Sequence, residues 1–455
     1  MRRLQPTFQS YDWGKVGATS MVARLTSAGS SGGIKILETQ PFAELWMGTH
    51  PSGPSTLIGG GDSKDSPDET LQAYLMRDSS ALGVDPYSLT TGALPYLFKV
   101  LSIEKALSVQ AHPDSALAKK LYAERPKVYK DPNHKPEMAC ALTPFEAMCS
   151  FRPPSEIASI IRRVPELVTL LGGEEKAEVL ARTADSVTPS SSNETMDSFS
   201  RELKAAYSTL MTQPAEIVSA AVSLLKTRLE EEEVVERVNH LGTISQDTRS
   251  MENTDPFAKL SPDACALRLC SQFPGDVGVF SPFLLNVVTL EPGDAIFLGA
   301  NEPHAYLSGD CVEIMACSDN VVRAGLTPKF KDVSILCEML TYKCGRPEIL
   351  KGTTFQSEGA CIAREYTAPV PEFMLQQFSI PAGESKSLSM PPARSAALLI
   401  VICGSGTVES STEQGEVCCS ISEGQVWLQH AGTQMKLSST NADKDLLIFR
   451  SAVAR

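Results

Sequence analysis

Three short stretches of the chain contain side chains that suit a metal ion. In the QAH sequence, Gln110 and His112 are two positions apart, so in a strand both side chains point to the same face. In the NHKPE sequence, Glu137 follows a proline that fixes the local backbone. In the NEPHAY sequence, His304 follows a predicted strand and turn. An amide oxygen, two imidazoles and a carboxylate are therefore available to one cation.

A zinc ion accepts nitrogen and oxygen donors, and a catalytic zinc site leaves a position open for water or substrate. The amide, imidazole and carboxylate donors above would form such a site. Their spacing alone does not establish it, because two ligands on one strand with distant partners also occur by chance. The alternative is that each side chain is a hydrogen-bonded core or surface residue.

The hydrophobic pattern predicts the elements that position these residues. Residues 1 to about 150 contain short apolar runs broken by Gly, Pro and Ser, which is typical of strands and loops. Asp114 is predicted to cap a helix in this part. From Pro154 to about His240 the apolar residues recur at helical spacing, interrupted by a polar loop at 188–193. One predicted buried helix face contains Ile217, Ala221, Leu224 and Leu225.

From about Ser261 to the end, the strand pattern returns. Residues 287–298, 397–409 and 420–428 each show a strand, a glycine turn and a second strand, which predicts hairpins. Many short strands separated by glycine turns favour a jelly roll or a barrel. A chain of 455 residues is also too long for one ordinary core. We therefore predict a mainly β protein with an α insertion, in two or three domains.

Composition excludes several classes of partner. The net charge is −13, from 41 basic and 54 acidic residues, which argues against nucleic acid or an anionic membrane as the main partner. An anionic substrate would therefore need a local cluster of basic side chains. No signal peptide or membrane-spanning run is evident, so the predicted location is cytoplasmic. The 12 cysteines form no CxxC pair and are predicted to be reduced, mostly buried thiols. Residues 59–61, GGG, lack the context of a P-loop and are predicted to be a flexible loop.

Several longer motifs occur in an order that resembles the type I phosphomannose isomerases. Besides QAHPD and NHKPE, they are YDWGK, AELWMGTHP and FKVLS in the N-terminal third, and SDNVVRAGLTPK after the NEPHAY sequence. The resemblance is close in the N-terminal third and around His304. It is weak through the helical insertion and diffuse after about residue 340.

The resemblance implies a fold, a cofactor and a reaction. The fold would be two cupin-type jelly-roll β-sandwich domains with a helical insertion, bounded here as 1–153 together with 261–335, 154–260 and 336–455. One zinc ion per chain would be held by Gln110, His112, Glu137 and His304. The reaction would interconvert mannose 6-phosphate and fructose 6-phosphate through a cis-enediol, feeding mannose activation to GDP-mannose.

The resemblance also assigns a catalytic arginine, which falls on Arg323. Further predicted catalytic residues are Glu313 and Lys135, and predicted substrate contacts are Ser108, Lys99, Glu44, Trp13 and Lys329. Phosphate binding is predicted for Ser108 together with one of the lysines 99 and 135. The proton carrier stays open among Glu313, Glu44, His50 and a zinc-bound water.

Two other functions fit the same residues. His112, Glu137 and His304 could form the facial triad of an iron-dependent cupin oxygenase. The chain could also be a sugar-binding cupin without activity, although an intact donor set with Arg323 speaks against this. The predicted partner is a small sugar phosphate, and the predicted oligomeric state is a monomer.

Overall fold

The computed structural model describes residues 1–30, 34–58, 69–242, 255–412 and 415–454. The loop predicted at residues 59–61 lies outside these ranges. The chain before the helical insertion has short strands and four helices among its described residues. They are β1 (Arg2–Gln5), β2 (Thr7–Gln9), α1 (Met21–Gly29), β3 (Glu44–Met47), β4 (Thr56–Leu57), α2 (Leu71–Arg77), α3 (Pro86–Thr91), β5 (Tyr96–Ile103), β6 (Val109–Ala111), α4 (Ser115–Glu124), β7 (Glu137–Ala141) and β8 (Phe145–Phe151).

The predicted helical insertion is present between β8 and the next strand. Its helices are α5 (Pro154–Arg163), α6 (Pro165–Leu170), α7 (Glu174–Asp185), α8 (Asn193–Met211), α9 (Ala215–Gly242), α10 (Pro262–Gln272) and α11 (Ser281–Leu284). Residues 188–192 of the predicted polar break lie in the mostly exposed connection before α8, and the last one, Asn193, begins that helix. No helix in the described part of the chain is long and apolar enough to cross a membrane.

The buried face predicted for α9 is partly wrong. Ala221 and Leu225 are buried, but Ile217 is 45% exposed and Leu224 is 65% exposed. The stripe that packs against the other helices is instead Val218, Ala221, Val222, Leu225 and Leu229. Helical spacing places positions 217 and 224 on an adjoining face, and sequence alone did not show which of the two apolar stripes meets a neighbour.

The chain after the insertion returns to strands. They are β9 (Leu285–Leu290), β10 (Ala295–Leu298), β11 (His304–Ala316), β12 (Val322–Gly325), helix α12 (Val333–Met339), β13 (Thr353–Glu358), β14 (Cys361–Thr367), β15 (Met374–Ile380), β16 (Ser387–Met390), β17 (Ala397–Cys403), β18 (Ser405–Thr412), β19 (Gly415–Ser422), β20 (Val426–Gln429), β21 (Met435–Ser439) and β22 (Leu446–Ala452).

The strand positions were predicted well, but the predicted hairpins are wrong. β9 pairs with β8 whereas β10 pairs with β7, so the glycine turn between them joins strands with different partners. The same holds for β17 and β18, and for β19 and β20. Short turns thus take the chain from one sheet to the facing one, as in a jelly roll.

Two strand-rich halves result, each with antiparallel pairing. The first contains the order β10-β7-β11-β5-β3-β2, with β6, β8, β9 and β12 joined to it through β11. The second contains the order β13-β14-β15-β22-β17-β20-β1-β4, facing the sheet β16-β21-β18-β19. The mainly β fold with a helical insertion is therefore confirmed.

The predicted domain bounds stay a prediction, and two observations bear on them. Strand β1 pairs with β20, so the first residues of the chain lie in the sheet of the C-terminal half. Helix α10, which begins at Pro262, packs against α9 and extends the helical layer beyond residue 260. All 12 cysteines are free, and most are buried, as predicted.

Strand β11 has a bend that matters for the site. Its first residues, from His304, pair with β6 and β8, whereas its residues from Gly309 to Ala316 pair with β5. Gly309 has φ 107°, and a Cβ there would lie 2.5 Å from the Pro144 carbonyl oxygen, so only glycine fits. The register with β8 also shifts between Tyr306 and Ser308. The first part of β11 thus pairs with strands on one side of the first sandwich, and its second part pairs with strands on the other side.

Candidate functional site

Strand pairing brings the predicted ligands together. Gln110 on β6 lies directly opposite both His304 on β11 and Arg323 on β12. Side chains of directly opposed residues lie on the same face of a sheet. His112 follows Gln110 by two positions and shares that face. Glu137, the first residue of β7, approaches from the neighbouring part of the sheet.

His112, Glu137 and His304 form a compact, buried cluster. Nε2 of His112 lies 3.4 Å from Oε1 of Glu137, and Nε2 of His304 lies 3.3 Å from Oε2 of the same carboxylate. One ligand atom from each residue lies within 4.8 Å of the others. The side chains are at most 2% exposed.

The hydrogen bonds of the imidazoles fix which nitrogen is available. Nδ1 of His112 donates to the Asn320 carbonyl oxygen at 2.7 Å, and Nδ1 of His304 donates to the Glu302 carbonyl oxygen at 3.0 Å. A carbonyl only accepts, so each Nδ1 carries a proton, and in the neutral form of each ring the Nε2 lone pair faces the cluster. Ligands of metal ions are commonly oriented in this way.

The same atoms lack other partners. Nε2 of His112, Nε2 of His304 and Oε2 of Glu137 are buried without a hydrogen bond among the described residues. Buried polar atoms are normally satisfied, so three such atoms pointing at one place fit a metal ion. Two imidazoles, a carboxylate and the amide of Gln110 are donors that zinc accepts.

Electrostatics keep the donors in their metal-binding protonation states. Burial lowers the pKa of the His112 imidazole to about 4, so it is neutral at physiological pH. Burial alone would raise the pKa of the Glu137 carboxyl. The Lys135 ammonium, with Nζ 3.0 Å from Oε1, is the largest opposing effect, and the pKa lies well below its usual value.

A second polar cluster lies on strands β3, β5 and β11, which bear Glu44, Lys99 and Glu313. Nζ of Lys99 is 3.1 Å from Oε2 of Glu313 and 3.4 Å from Oε2 of Glu44. All three are less than 9% exposed. Burial would lower the pKa of Lys99, but the two carboxylates raise it above its usual value. Burial raises the pKa of Glu313, against the opposing effect of Lys99.

Both clusters open into one cleft of about 570 Å³. The predicted residues that line it are Trp13, Glu44, His50, Lys99, Ser108, Gln110, Lys135, Glu137, Glu313, Arg323 and Lys329. The two remaining ones, His112 and His304, reach it through their contacts with Glu137. The structure thus brings together every residue that the sequence singled out for this site.

The cations of the cleft fall into two groups. Lys99 and Lys135 lie against carboxylates, which neutralise them. Arg323, Lys105 and Lys329 also line the cleft, and none of them forms an ion pair with a described residue. Burial lowers the pKa of the Arg323 guanidinium, which remains far above neutrality. Uncompensated cations in an acidic protein suit an anionic ligand.

Some residues of the cleft were missed by the sequence reasoning. Lys105 lies with Nζ 4.5 Å from the ring centre of Phe273, the residue that follows α10 of the helical insertion. Nothing in a lone lysine and a distant phenylalanine marks them as partners. Tyr306 also lines the cleft, and its position two residues after His304 was a signal, because alternate strand residues share a face.

Asn301, which lies outside the cleft, ties two of the predicted motifs to each other. Nδ2 of Asn301 donates to Oδ2 of Asp114 at 2.9 Å, which locks the loop before His304 to the end of the QAHPD motif. Asp114 is also the predicted cap, since it accepts from the amide of Leu117 at 2.8 Å. The motifs therefore act as one support for the ligands.

A β-sandwich cleft with buried, unsatisfied imidazole and carboxylate groups is typical of metal-binding proteins of the cupin class. Comparison with known proteins refines this class. Residues 1–154 match the model "phosphomannose isomerase type I, catalytic domain", and residues 170–285 match its helical insertion domain. The chain is 40% identical over 453 residues to mannose-6-phosphate isomerase 1 of Arabidopsis thaliana, covering 100% of this chain and 94% of that one.

Further relatives agree. Mannose-6-phosphate isomerase of Homo sapiens is 41% identical over 451 residues, covering 97% and 96% of the two chains. A crystal structure of a mannose 6-phosphate isomerase bound with zinc and yttrium superposes with a TM-score of 0.74 at 28% identity, covering 100% of both chains. A variant of the phosphomannose isomerase from Salmonella typhimurium gives a TM-score of 0.75 at 27% identity, also over 100% of both chains. The chain belongs to the type I phosphomannose isomerases, and it is an isomerase.

Proposed function

We propose that the chain interconverts mannose 6-phosphate and fructose 6-phosphate with one zinc ion, and that this reaction supplies mannose for GDP-mannose. The observation that supports it best is the set of three buried, unsatisfied donor atoms facing a cleft with uncompensated cations. Gln110, His112, Glu137 and His304 would hold the ion. When bound, zinc supplies a positive charge that polarises sugar oxygens and stabilises an enediolate.

Glu313 is the proton carrier that we infer. In the aldose-to-ketose direction, a carboxylate takes the proton from C2 and returns it to C1 through a cis-enediol, while the hydroxyl proton on O2 passes to O1. Burial raises the pKa of Glu313 and so makes its carboxylate a stronger base. Lys99, 3.1 Å away, holds the carboxylate in place. Glu44 is instead engaged by both Lys99 and the indole N–H of Trp46.

Arg323 stabilises the negative charge that develops on the sugar oxygens. It lies opposite Gln110 on the strand face that bears the metal donors. Its planar donors can contact two oxygens at once. Lys135 lies 3.0 Å from Glu137 and directs the carboxylate while offering its ammonium to the cleft.

The phosphate is held by cations that lack carboxylate partners. Lys105 and Lys329 meet this condition, and the hydroxyl of Ser108 lies in the same cleft. The predicted alternatives Lys99 and Lys135 already lie against carboxylates, so each would bring a compensating negative charge close to the phosphate. Family membership favours this isomerase over an oxygenase or a binding protein.

One experiment tests the proposal as a whole. Purified protein is assayed for fructose 6-phosphate formation alongside its zinc content, before and after chelation. We expect one zinc per chain, loss of turnover on chelation and recovery on adding zinc. Turnover that persists in zinc-free protein contradicts the proposed cofactor, whereas iron with oxygen consumption supports the oxygenase. The monomeric state and the cytoplasmic location stay predictions.

A further inference from the structure

The loop that carries the NHKPE sequence is held from two sides. On one side, Nδ2 of Asn320 donates to the carbonyl oxygens of Asp131 at 2.7 Å and Asn133 at 3.0 Å. The carbonyl of the same Asn320 accepts from His112. This side of the loop is therefore linked directly to a predicted metal ligand.

On the other side, the loop contacts the C-terminal half through His134. Nε2 of His134 lies 2.6 Å from Oε1 of Glu372, a carboxylate in the connection between β14 and β15. The two side chains are 25% and 21% exposed. They line a separate cavity of about 250 Å³ rather than the cleft. An N–H donated to a carboxylate at this distance is a strong hydrogen bond.

Glu372 is itself firmly placed. The next residue, Phe373, is fully buried in the core that joins the two halves, where Tyr96 and Leu398 also lie. The carbonyl of Pro371 accepts the amide of Ala454 at 3.2 Å. The carboxylate thus projects from a segment anchored on both sides.

We propose that Glu372 and His134 are positioning residues, through which the C-terminal half holds the NHKPE loop so that Lys135 faces the cleft beside the Glu137 carboxylate. This inference rests on the proposed roles of those two residues. It gives the C-terminal half a part in turnover, although within the described ranges no group of metal-ligating side chains lies there.

Loss of the contact should affect turnover more than substrate binding. His134 immediately precedes Lys135, whose Nζ is 3.0 Å from the Glu137 carboxylate, so a loop displacement moves an ammonium relative to the reacting centre. Lys105 and Lys329, which we assign to the phosphate, lie outside this loop. Their contacts with substrate should persist.

The test compares Glu372→Ala, Glu372→Gln, His134→Ala and the double alanine variant in zinc-loaded, full-length protein. We expect kcat to fall about tenfold in both alanine variants, the magnitude usual for partners that orient site residues. KM and zinc content should stay within about twofold. The amide oxygen in Glu372→Gln still accepts the imidazole N–H, so it should restore most of the turnover. The double variant should resemble the single ones, because both lose the same contact.

Glu423→Ala is the matched control. Its carboxylate, 18% exposed, also joins the C-terminal half to an N-terminal element, through Arg24 at 3.1 Å, but on helix α1. We expect wild-type kcat from this variant. Wild-type kcat in Glu372→Ala, additive losses in the double variant, or an equal loss in Glu423→Ala would each overturn the inference.

Two further measurements keep the outcomes separate. If Glu372→Ala does not fold, His134→Ala and Glu372→Gln test the same contact from milder changes. Lys135→Ala tests the proposed function on its own. Wild-type turnover in Lys135→Ala removes the role that we give Lys135, whereas wild-type turnover confined to the Glu372 and His134 variants overturns the positioning alone.

Discussion

Each sandwich half buries a cluster of polar side chains, and the two clusters differ in whether their polar atoms have hydrogen-bond partners. In the first half, the candidate metal-binding atoms of His112, Glu137 and His304 are buried without hydrogen-bond partners among the described residues. In the second half, Arg450 is 3% exposed and donates to the side-chain oxygens of Gln376 and Gln429, each at 2.9 Å.

The amides of the second half are satisfied in turn. Nε2 of Gln429 donates to the Thr433 carbonyl oxygen at 2.8 Å, and Nε2 of Gln376 donates to Glu365 at 2.7 Å. A hydrogen-bonded polar network stabilises a fold, whereas polar atoms that converge on one place without hydrogen bonds are available to bind a ligand. The convergence of unsatisfied polar atoms on one place, and not the burial of polar groups, therefore distinguishes the candidate site.

The largest expected effect comes from removing one unsatisfied donor. His304→Ala should lose most of the zinc and lower kcat by more than about 100-fold, beyond the range for residues that merely orient ligands. Zinc content and isomerase turnover measure this. The control is His430→Ala. His430 lies in the C-terminal half, where its imidazole contacts the hydroxyl of Tyr74 on α2, so its loss should leave zinc unchanged. Normal zinc in His304→Ala would contradict the assigned site.

Arg323→Lys should keep its zinc but lower turnover by roughly 10- to 100-fold, since a point charge does not reproduce the planar guanidinium. Steady-state kinetics on zinc-replete enzyme check this. A variant with the kcat of the wild type would show that Arg323 does not act on the developing charge.

In the second half, a similar truncation should change stability instead of zinc binding. Arg450→Ala leaves the acceptors of Gln376 and Gln429 buried without donors, at a cost of roughly 3 kcal/mol in the free energy of unfolding. Urea unfolding measures it, with zinc content of the folded protein as the second observable. The exposed Arg394→Ala serves as control, with a change below about 0.5 kcal/mol. Zinc loss in folded Arg450→Ala would contradict the prediction that this cluster affects stability and not zinc binding.

The smallest expected effect is on KM, and it compares a cleft lysine that has no carboxylate partner among the described residues with a lysine elsewhere that has one. Lys105→Ala should raise KM for the sugar phosphate about tenfold, the usual scale for one charge-assisted hydrogen bond, with kcat little changed. Lys436→Ala is the comparison, because Lys436 lies in the C-terminal half, 3.8 Å from Glu409. An unchanged KM in Lys105→Ala would remove this lysine from the phosphate site.

Much of the site followed from local sequence. The alternation of a strand predicted Gln110 and His112 on one face, and the motifs contain His112, Glu137 and His304, which the structure brings together in one buried cluster. The hairpin predictions failed because a glycine turn shows where a strand ends, not which sheet receives the next strand. Lys105 and Glu372 were missed because their partners, Phe273 and His134, are distant in the chain.

The sequence by itself determined the chemistry of the donors and the succession of strands and helices, since both depend on residue types and local periodicity. Only the tertiary structure decided that His304 and Glu313, an odd number of residues apart on β11, serve the same cleft. A regular strand would direct them to opposite faces. The bend at Gly309 and the shifted register before Ser308 reverse that alternation, and both depend on contacts with other strands.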